Sequence, residues 1–271
     1  MLAWHAAAFT HRGRVRAANE DGVAIEDRIL TEDMAAPTTL TIANDVCVLM
    51  IADGMGGHDH GAVASRALLN HLIADVKRLA SPATCTDAIC AANDHLYELM
   101  RANPRYIGMG ATLIGAALTS TQLLIFNAGD SRAYLHSRDH LIQLSQDDVP
   151  NIRVDRAGRR LSHAVTQALG GSAFHVPIQP HVSVEPPLLP GETLLLCSDG
   201  LTDMVPDQII RDVLRQATKI EAAARNLAAH AFRNGGADNL SLVLAECAPS
   251  PGISSSHTHV MVRAAGQAWH S

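Results

Sequence analysis

Apolar runs and amphipathic repeats alternate along the chain in two cycles. Residues 46–52, VCVLMIA, are apolar without a break, the pattern of a buried strand. A glycine-rich stretch follows. Then Leu68, Leu69, Leu72, Ile73, Val76 and Leu79 recur with three-and-four spacing, which predicts an amphipathic helix near 60–80. A second helix is expected near 84–102, then strands at 111–119, 122–128 and 131–136 and a short one near 140–144. The run ETLLLCSD predicts another strand, helices return near 206–217 and 220–234, and NLSLVLAEC closes the pattern. Pro206 stands where a first-turn proline belongs, and Gly235-Gly236 where a helix should stop. Helix pairs segregated from runs of strands argue an α+β fold with antiparallel pairing and helices packed outside. Residues 248–271 lose periodicity and turn to Pro, Ser and His, so one domain at 1–247 is expected to be followed by a loosely ordered tail.

Composition narrows the class. The 271 residues are 47% hydrophobic but only 3% aromatic, so the core must be built mostly from Ala, Leu, Ile and Val. A net charge of −6 with no run of Lys or Arg argues against a nucleic-acid partner. The five cysteines form no Cys-x-x-Cys pair and read as free thiols in a reducing compartment. The start lacks the basic region of a signal peptide, and no apolar run reaches membrane-spanning length. A soluble, cytoplasmic protein with no membrane partner is the expectation.

The acids carry the chemistry. Asp53 ends one apolar run, Asp130 another and Asp199 a third; Asp203 lies one helical turn on, and Asp238 opens the closing strand. The segment RVRAANED adds Arg16, Glu20 and Asp21. Each acid alone reads as a helix cap or a turn, and Asp53-Gly54 alone as a hairpin. The helix after Asp53-Gly54 weakens the hairpin reading. Gathered at one end of a fold, such acids repel strongly: two carboxylates 4 Å apart oppose each other by about 4 kcal/mol at an effective dielectric near 20. That calls for protons, basic partners or divalent cations. Lys and Arg are scarce nearby apart from Arg16 and Arg132, so cations are the economical answer. Carboxylate and carbonyl oxygens suit Mg²⁺ or Mn²⁺. His58-x-His60 is a weaker hint of zinc in a chain with 15 histidines. A pair of hard ions would activate water and clamp a phosphoryl group, with Arg16 forking its oxygens.

The ordered blocks VRAANEDG, IADGMGGHDHG, GMGATLIGAAL, NAGDSRAYL, VTQALGG, LLLCSDGLTDMV and GGADNLSLVLA, from about residue 8 to 246, resemble the metal-dependent serine/threonine protein phosphatases (PPM, or type 2C) in their bacterial form. The resemblance implies a four-layer αββα sandwich, two antiparallel sheets flanked by helix pairs, with the metals between the sheets at one end. It implies that Asp53 bridges two Mn²⁺ or Mg²⁺ ions, joined by the Gly54 carbonyl, and that Asp199 and Asp238 bind one of the two. Asp130, with Asp199 and Asp203, corresponds to a weaker third site. Arg16 falls on the phosphate-binding arginine, Glu20 and Asp21 on acids that hold metal-bound waters, with Asn239 beside them. The implied reaction is direct attack of a metal-bridging hydroxide on phosphoserine or phosphothreonine in a phosphoprotein. The implied role is in signalling, reversing a cognate Ser/Thr kinase.

The chain also departs from the family. Met55 stands where some eukaryotic relatives carry a histidine proposed as general acid, which leaves metal-bound water, His58 or no group at all for that task. Asp148 replaces a usual histidine and receives no role. The span after Asp148 is shorter than the family's flap and basic, with Arg153, Arg156, Arg159 and Arg160. Two rival readings would leave other marks in the chain. Another two-metal phosphoesterase should show Asp-x-His and Gly-Asn-His ligands, which are absent; a catalytically silent phosphatase-like binding module should have lost a ligand acid, and all are present.

Overall fold

The computed structural model describes residues 3–56, 60–150 and 164–248. In chain order the strands are β1 (Ala3–His11), β2 (Gly22–Ile25), β3 (Arg28–Leu30), β4 (Thr38–Ile42), β5 (Val46–Ala52), β6 (Gly54–Met55), β7 (Gly110–Ala111), β8 (Leu113–Thr119), β9 (Leu123–Ala128), β10 (Arg132–Ser137), β11 (His140–Gln143), β12 (Leu169–Gly170), β13 (His181–Glu185), β14 (Glu192–Cys197) and β15 (Leu240–Ala248). The helices are α1 (His60–Ile73), α2 (Pro82–Ala102), α3 (Asp199–Thr202), α4 (Asp207–Gln216) and α5 (Ile220–Arg233). The expected helix near 60–80 stops at Ile73 and resumes as a 3₁₀ turn over Val76–Ala80.

Two six-stranded antiparallel sheets result, ordered β11-β10-β14-β15-β1-β4 and β13-β9-β8-β5-β2-β3, with a small third sheet β12-β7-β6. Side-chain alternation sorts the apolar residues into three layers. On β5, Cys47, Leu49 and Ile51 point between the sheets while Val48, Met50 and Ala52 meet α1 and α2. On β14, Leu194 and Leu196 point between the sheets while Leu195 and Cys197 meet α4 and α5. Both faces of the central strands are therefore buried, which is why they read as unbroken apolar runs. The layers are αββα, as the resemblance implied.

Small residues let the sheets approach. Ala6 and Ala8 of β1 fill the inter-sheet layer and Ala7 the outer one, all fully buried. A Cβ at Gly115 would collide with the Phe126 ring, so a large side chain on β9 occupies the space that β8 leaves. Cys47, Cys85, Cys197 and Cys247 are buried free thiols. Burial pushes the Cys85 and Cys197 thiols up to about 12. Among the described residues no helix is long and apolar enough to cross a membrane. The tail placed at 248–271 lies outside the described residues apart from Ala248, which ends β15. The four flap arginines and His58 lie outside them too.

Candidate active site

Strand direction brings the acids together. β5 and β9 both pair antiparallel with β8, so they run the same way and end on the same side, delivering Asp53 and Asp130. In the facing sheet β14 pairs antiparallel with β15, so the exit of one lies beside the entry of the other. That juxtaposes Asp199, at the start of α3, with Asp238, just before β15. The four acids line one cleft of about 460 Å³ with Arg16, Glu20, the Gly54 backbone, Met55 and Asn239.

The glycines allow the backbone to close on this cleft. Gly54 packs so tightly that a Cβ would collide with the carbonyl oxygens of Gly61 and Glu20. Gly61, in the first turn of α1, is blocked in return by Gly54 and by the Glu20 side chain. The Asp53 carbonyl accepts the Thr112 N–H at 2.9 Å, which separates β7 from β8 where one strand was expected. Ser65 Oγ donates to the Glu20 carbonyl at 2.6 Å and ties α1 to the arginine loop.

Asn239 organises that loop. Its Nδ2 donates to the carbonyls of Arg12 (3.0 Å) and Ala18 (2.9 Å), and its Oδ1 accepts the Glu20 N–H at 2.9 Å. The loop is pinned again where the Arg14 N–H meets the Gly236 carbonyl at 2.7 Å. Arg16 thus reaches the acids, with Nη2 donating to Asp238 Oδ2 at 2.7 Å. This bond raises the guanidinium above its ordinary value, against an opposing effect of burial.

The electrostatics fit hard cations. Burial, then the charges of Asp21, Asp199, Asp238 and Asp130, push the Asp53 carboxyl well above the usual range, although it keeps an opening to the cleft. Asp21 is buried and is not among the residues that line the cleft. Its Oδ2 accepts from Ser198 Oγ at 3.0 Å, and its Oδ1 has no hydrogen-bond partner. Burial and the Asp199 charge push it up to about 7, while the hydroxyls of Ser241 and Ser198 draw it partly back. A buried carboxylate with an idle oxygen and a neighbour held against ionisation by four charges are what bound cations and their waters would satisfy. The acids line the cleft rather than meeting at a point: among the described residues no three acids, histidines or cysteines converge closely enough to grip an ion unaided.

The other assignments divide. Asp130 and Asp199 reach the cleft, whereas Asp203, whose N–H caps the Asp199 carbonyl at 2.8 Å, is not among its lining residues. Met55 lines the cleft and carries no transferable proton. Asp148, given no role from sequence, is a hub. Its Oδ2 accepts from the Gly129 N–H and from Gln167 Nε2, both at 2.9 Å, and its Oδ1 lies 2.8 Å from His181 Nε2. Its neighbour Asp147 holds Arg132 through Nε (3.0 Å) and Nη2 (2.7 Å). An Asp-Asp pair in a polar loop has no periodicity to reveal it; three chain-distant partners define its task.

Comparison with known proteins accords with this geometry. Residues 8–240 match the family model described as Protein phosphatase 2C. The chain is 30% identical over 262 residues to "Serine/threonine phosphatase stp" of Listeria welshimeri, covering 89% of this chain and 95% of that protein. It is 33% identical over 248 residues to "Serine/threonine protein phosphatase PstP" of Mycobacterium tuberculosis, covering 89% of this chain and 44% of that protein. The crystal structure of the M. tuberculosis phosphatase PstP/Ppp superposes with a TM-score of 0.72 at 29% identity, covering 91% of this chain and 99% of that one. A structure of the PstP catalytic domain in complex with two manganese ions superposes with a TM-score of 0.69 at 30% identity, covering 92% and 100%. With its cleft of strand-end acids and an extended match of this kind, the chain belongs to the protein phosphatase 2C family.

Proposed function

We propose that the chain hydrolyses phosphoserine and phosphothreonine esters of proteins at a two-cation centre in this cleft, opposing a Ser/Thr kinase in the cytoplasm. The observation that carries the reading is the convergence of Arg16 with Asp53, Asp130, Asp199 and Asp238 on one cavity. Asp53, the Gly54 carbonyl, Asp199 and Asp238 would hold the two ions, and Asp130 with Asp199 a weaker third. Mn²⁺ or Mg²⁺ bound there supplies water activated as a nucleophile at neutral pH and neutralises charge on the phosphoryl group.

The chain's own residues do the rest. Arg16 offers a planar fork to two phosphate oxygens once its Asp238 contact is exchanged for substrate. Asn239, by fixing the loop from Arg12 to Glu20, holds that fork over the cleft. Glu20, on the cleft wall, would orient water within the site, and Asp21, buried behind the loop that carries it, would act on that water only through the charge it adds to the acids. Cys197, the thiol nearest these acids in sequence, is buried and raised to about 12, so it offers no thiolate as a competing nucleophile. A silent binding module would not need this full set.

The test is phosphate release from a phosphothreonine peptide with Mn²⁺, with EDTA, and in Asp53→Asn and Asp199→Asn. Manganese-dependent release that both substitutions abolish is expected. A wild type that binds Mn²⁺ by calorimetry but releases no phosphate would refute the catalytic reading.

A further inference from the structure

The small sheet beside the cleft carries an apolar rim that the chemistry does not use. β6 contains Gly54 and Met55, both lining the cleft, and pairs with β7, which pairs with β12. The loops leaving this sheet expose Ile107 (52%) and Phe174 (82%). They are joined at their roots: the Gly171 N–H donates to the Met109 carbonyl at 2.8 Å, and a Cβ at Gly171 would stand 3.8 Å from Met55 Sδ. Both loops therefore start from the cleft edge. Val15, 70% exposed, adjoins Arg16 on the loop that serves the same cleft.

The loop that carries Phe174 is tied to α2 on both sides. Before it, the Gly170 N–H donates to Asn93 Oδ1 at 2.9 Å and Tyr97 Oη donates to the Gly170 carbonyl at 3.0 Å. After it, His175 Nε2 meets Asp94 Oδ1 at 2.7 Å and Asn93 Nδ2 donates to the Val176 carbonyl at 3.0 Å. Three residues of α2 thus clamp the loop on both sides of an aromatic ring left in solvent. An exposed aromatic on a backbone tied down at both ends gives up little backbone entropy on contact, which suits an interface anchor.

We infer that Phe174, with Ile107, forms a docking rim for the substrate segment flanking the phosphoresidue, and that the rim selects substrates with a large apolar side chain near that residue. Phe174 lies three steps along the chain from Gly171, with only Ser172 and Ala173 between them, so its Cα lies within about 10 Å of that glycine. An extended substrate spans a similar distance in two or three residues from its phosphate. The occupant is therefore the substrate itself. This inference rests on the phosphate sitting between Arg16 and the acids.

Three phosphothreonine peptides test it, with Mn²⁺ present and p-nitrophenyl phosphate as a control: one with Ala flanks, one with Leu two and three residues before the phosphoresidue, and one with Leu two and three residues after. One Leu peptide should exceed the Ala peptide in kcat/KM by roughly tenfold, chiefly through KM. In Phe174→Ser that ratio should fall to near one, and Phe174→Leu should restore part of it. Equal hydrolysis of all three peptides by the wild type, or a ratio that survives both Phe174→Ser and Ile107→Ser, overturns the inference. No hydrolysis of p-nitrophenyl phosphate by the wild type overturns the phosphatase reading instead, and this inference with it.

Discussion

Replacing Asn239 with alanine separates the loop that carries Arg16 and Glu20 from the strand that should hold it. The buried side chain makes three hydrogen bonds, to the Arg12 and Ala18 carbonyls and from the Glu20 N–H. At about 1 kcal/mol net for each, Asn239→Ala should lose about 3 kcal/mol. In a domain of this size that lowers Tm by roughly 6–10 °C. Catalysis should suffer beyond stability, because Arg16 and Glu20 would no longer be fixed relative to Asp53 and Asp238. Misplacement on the scale of an ångström lowers kcat/KM by up to about a hundredfold. Urea denaturation and steady-state hydrolysis of a small phosphomonoester, both with saturating Mn²⁺ and well below the variant's Tm, read the two effects independently. A variant destabilised as expected but with wild-type kcat/KM would show that Asn239 supports the fold and not the site. Unchanged stability would refute the hydrogen-bond reasoning itself.

Four further outcomes are expected. Gly54→Ala forces a Cβ onto the Gly61 and Glu20 carbonyls, so it should cost about 1–3 kcal/mol and lower phosphate release at least about tenfold; an active, stable variant would contradict the close packing. Asp147→Ala strands the largely buried Arg132 guanidinium and should destabilise by about 3 kcal/mol in urea, where a loss under about 1 kcal/mol would count against it. Manganese at a hundredfold its Kd should add about 2.7 kcal/mol of stability over EDTA-treated protein, an increment largely missing from Asp53→Asn in calorimetry. His136 is buried with an unpartnered Nε2, and burial lowers its pKa, so the unfolded chain takes up the proton first. Stability should therefore fall as pH drops below about 6.5, and His136→Phe should show a shallower fall; identical slopes would exclude that contribution.

The sequence by itself determined the elements whose apolar pattern is strong and the acids that end them. β5 begins and ends where VCVLMIA does, and α2, α4, α5 and β15 fall within a few residues of the expected spans. The Gly-rich link after Asp53 could be read as unlike a hairpin because a helix follows it. Tertiary structure decided the rest. β1 was not legible as a strand, since Ala-rich WHAAAFTH carries little β preference; it pairs because β15 and β4 flank it and two apolar layers cover it. β2, β3, β4 and β13 are short and take their identity from partners. That Asp203 stays off the cleft wall while Asp130 reaches it depends on how strands of two sheets end beside one another, a relation no local window contains. Asp148 and Phe174 are the sharpest cases. One is defined by partners at Gly129, Gln167 and His181, the other by the helix that clamps its loop. Spacing along a chain encodes which face a residue shows, whereas packing between distant segments determines what that face meets.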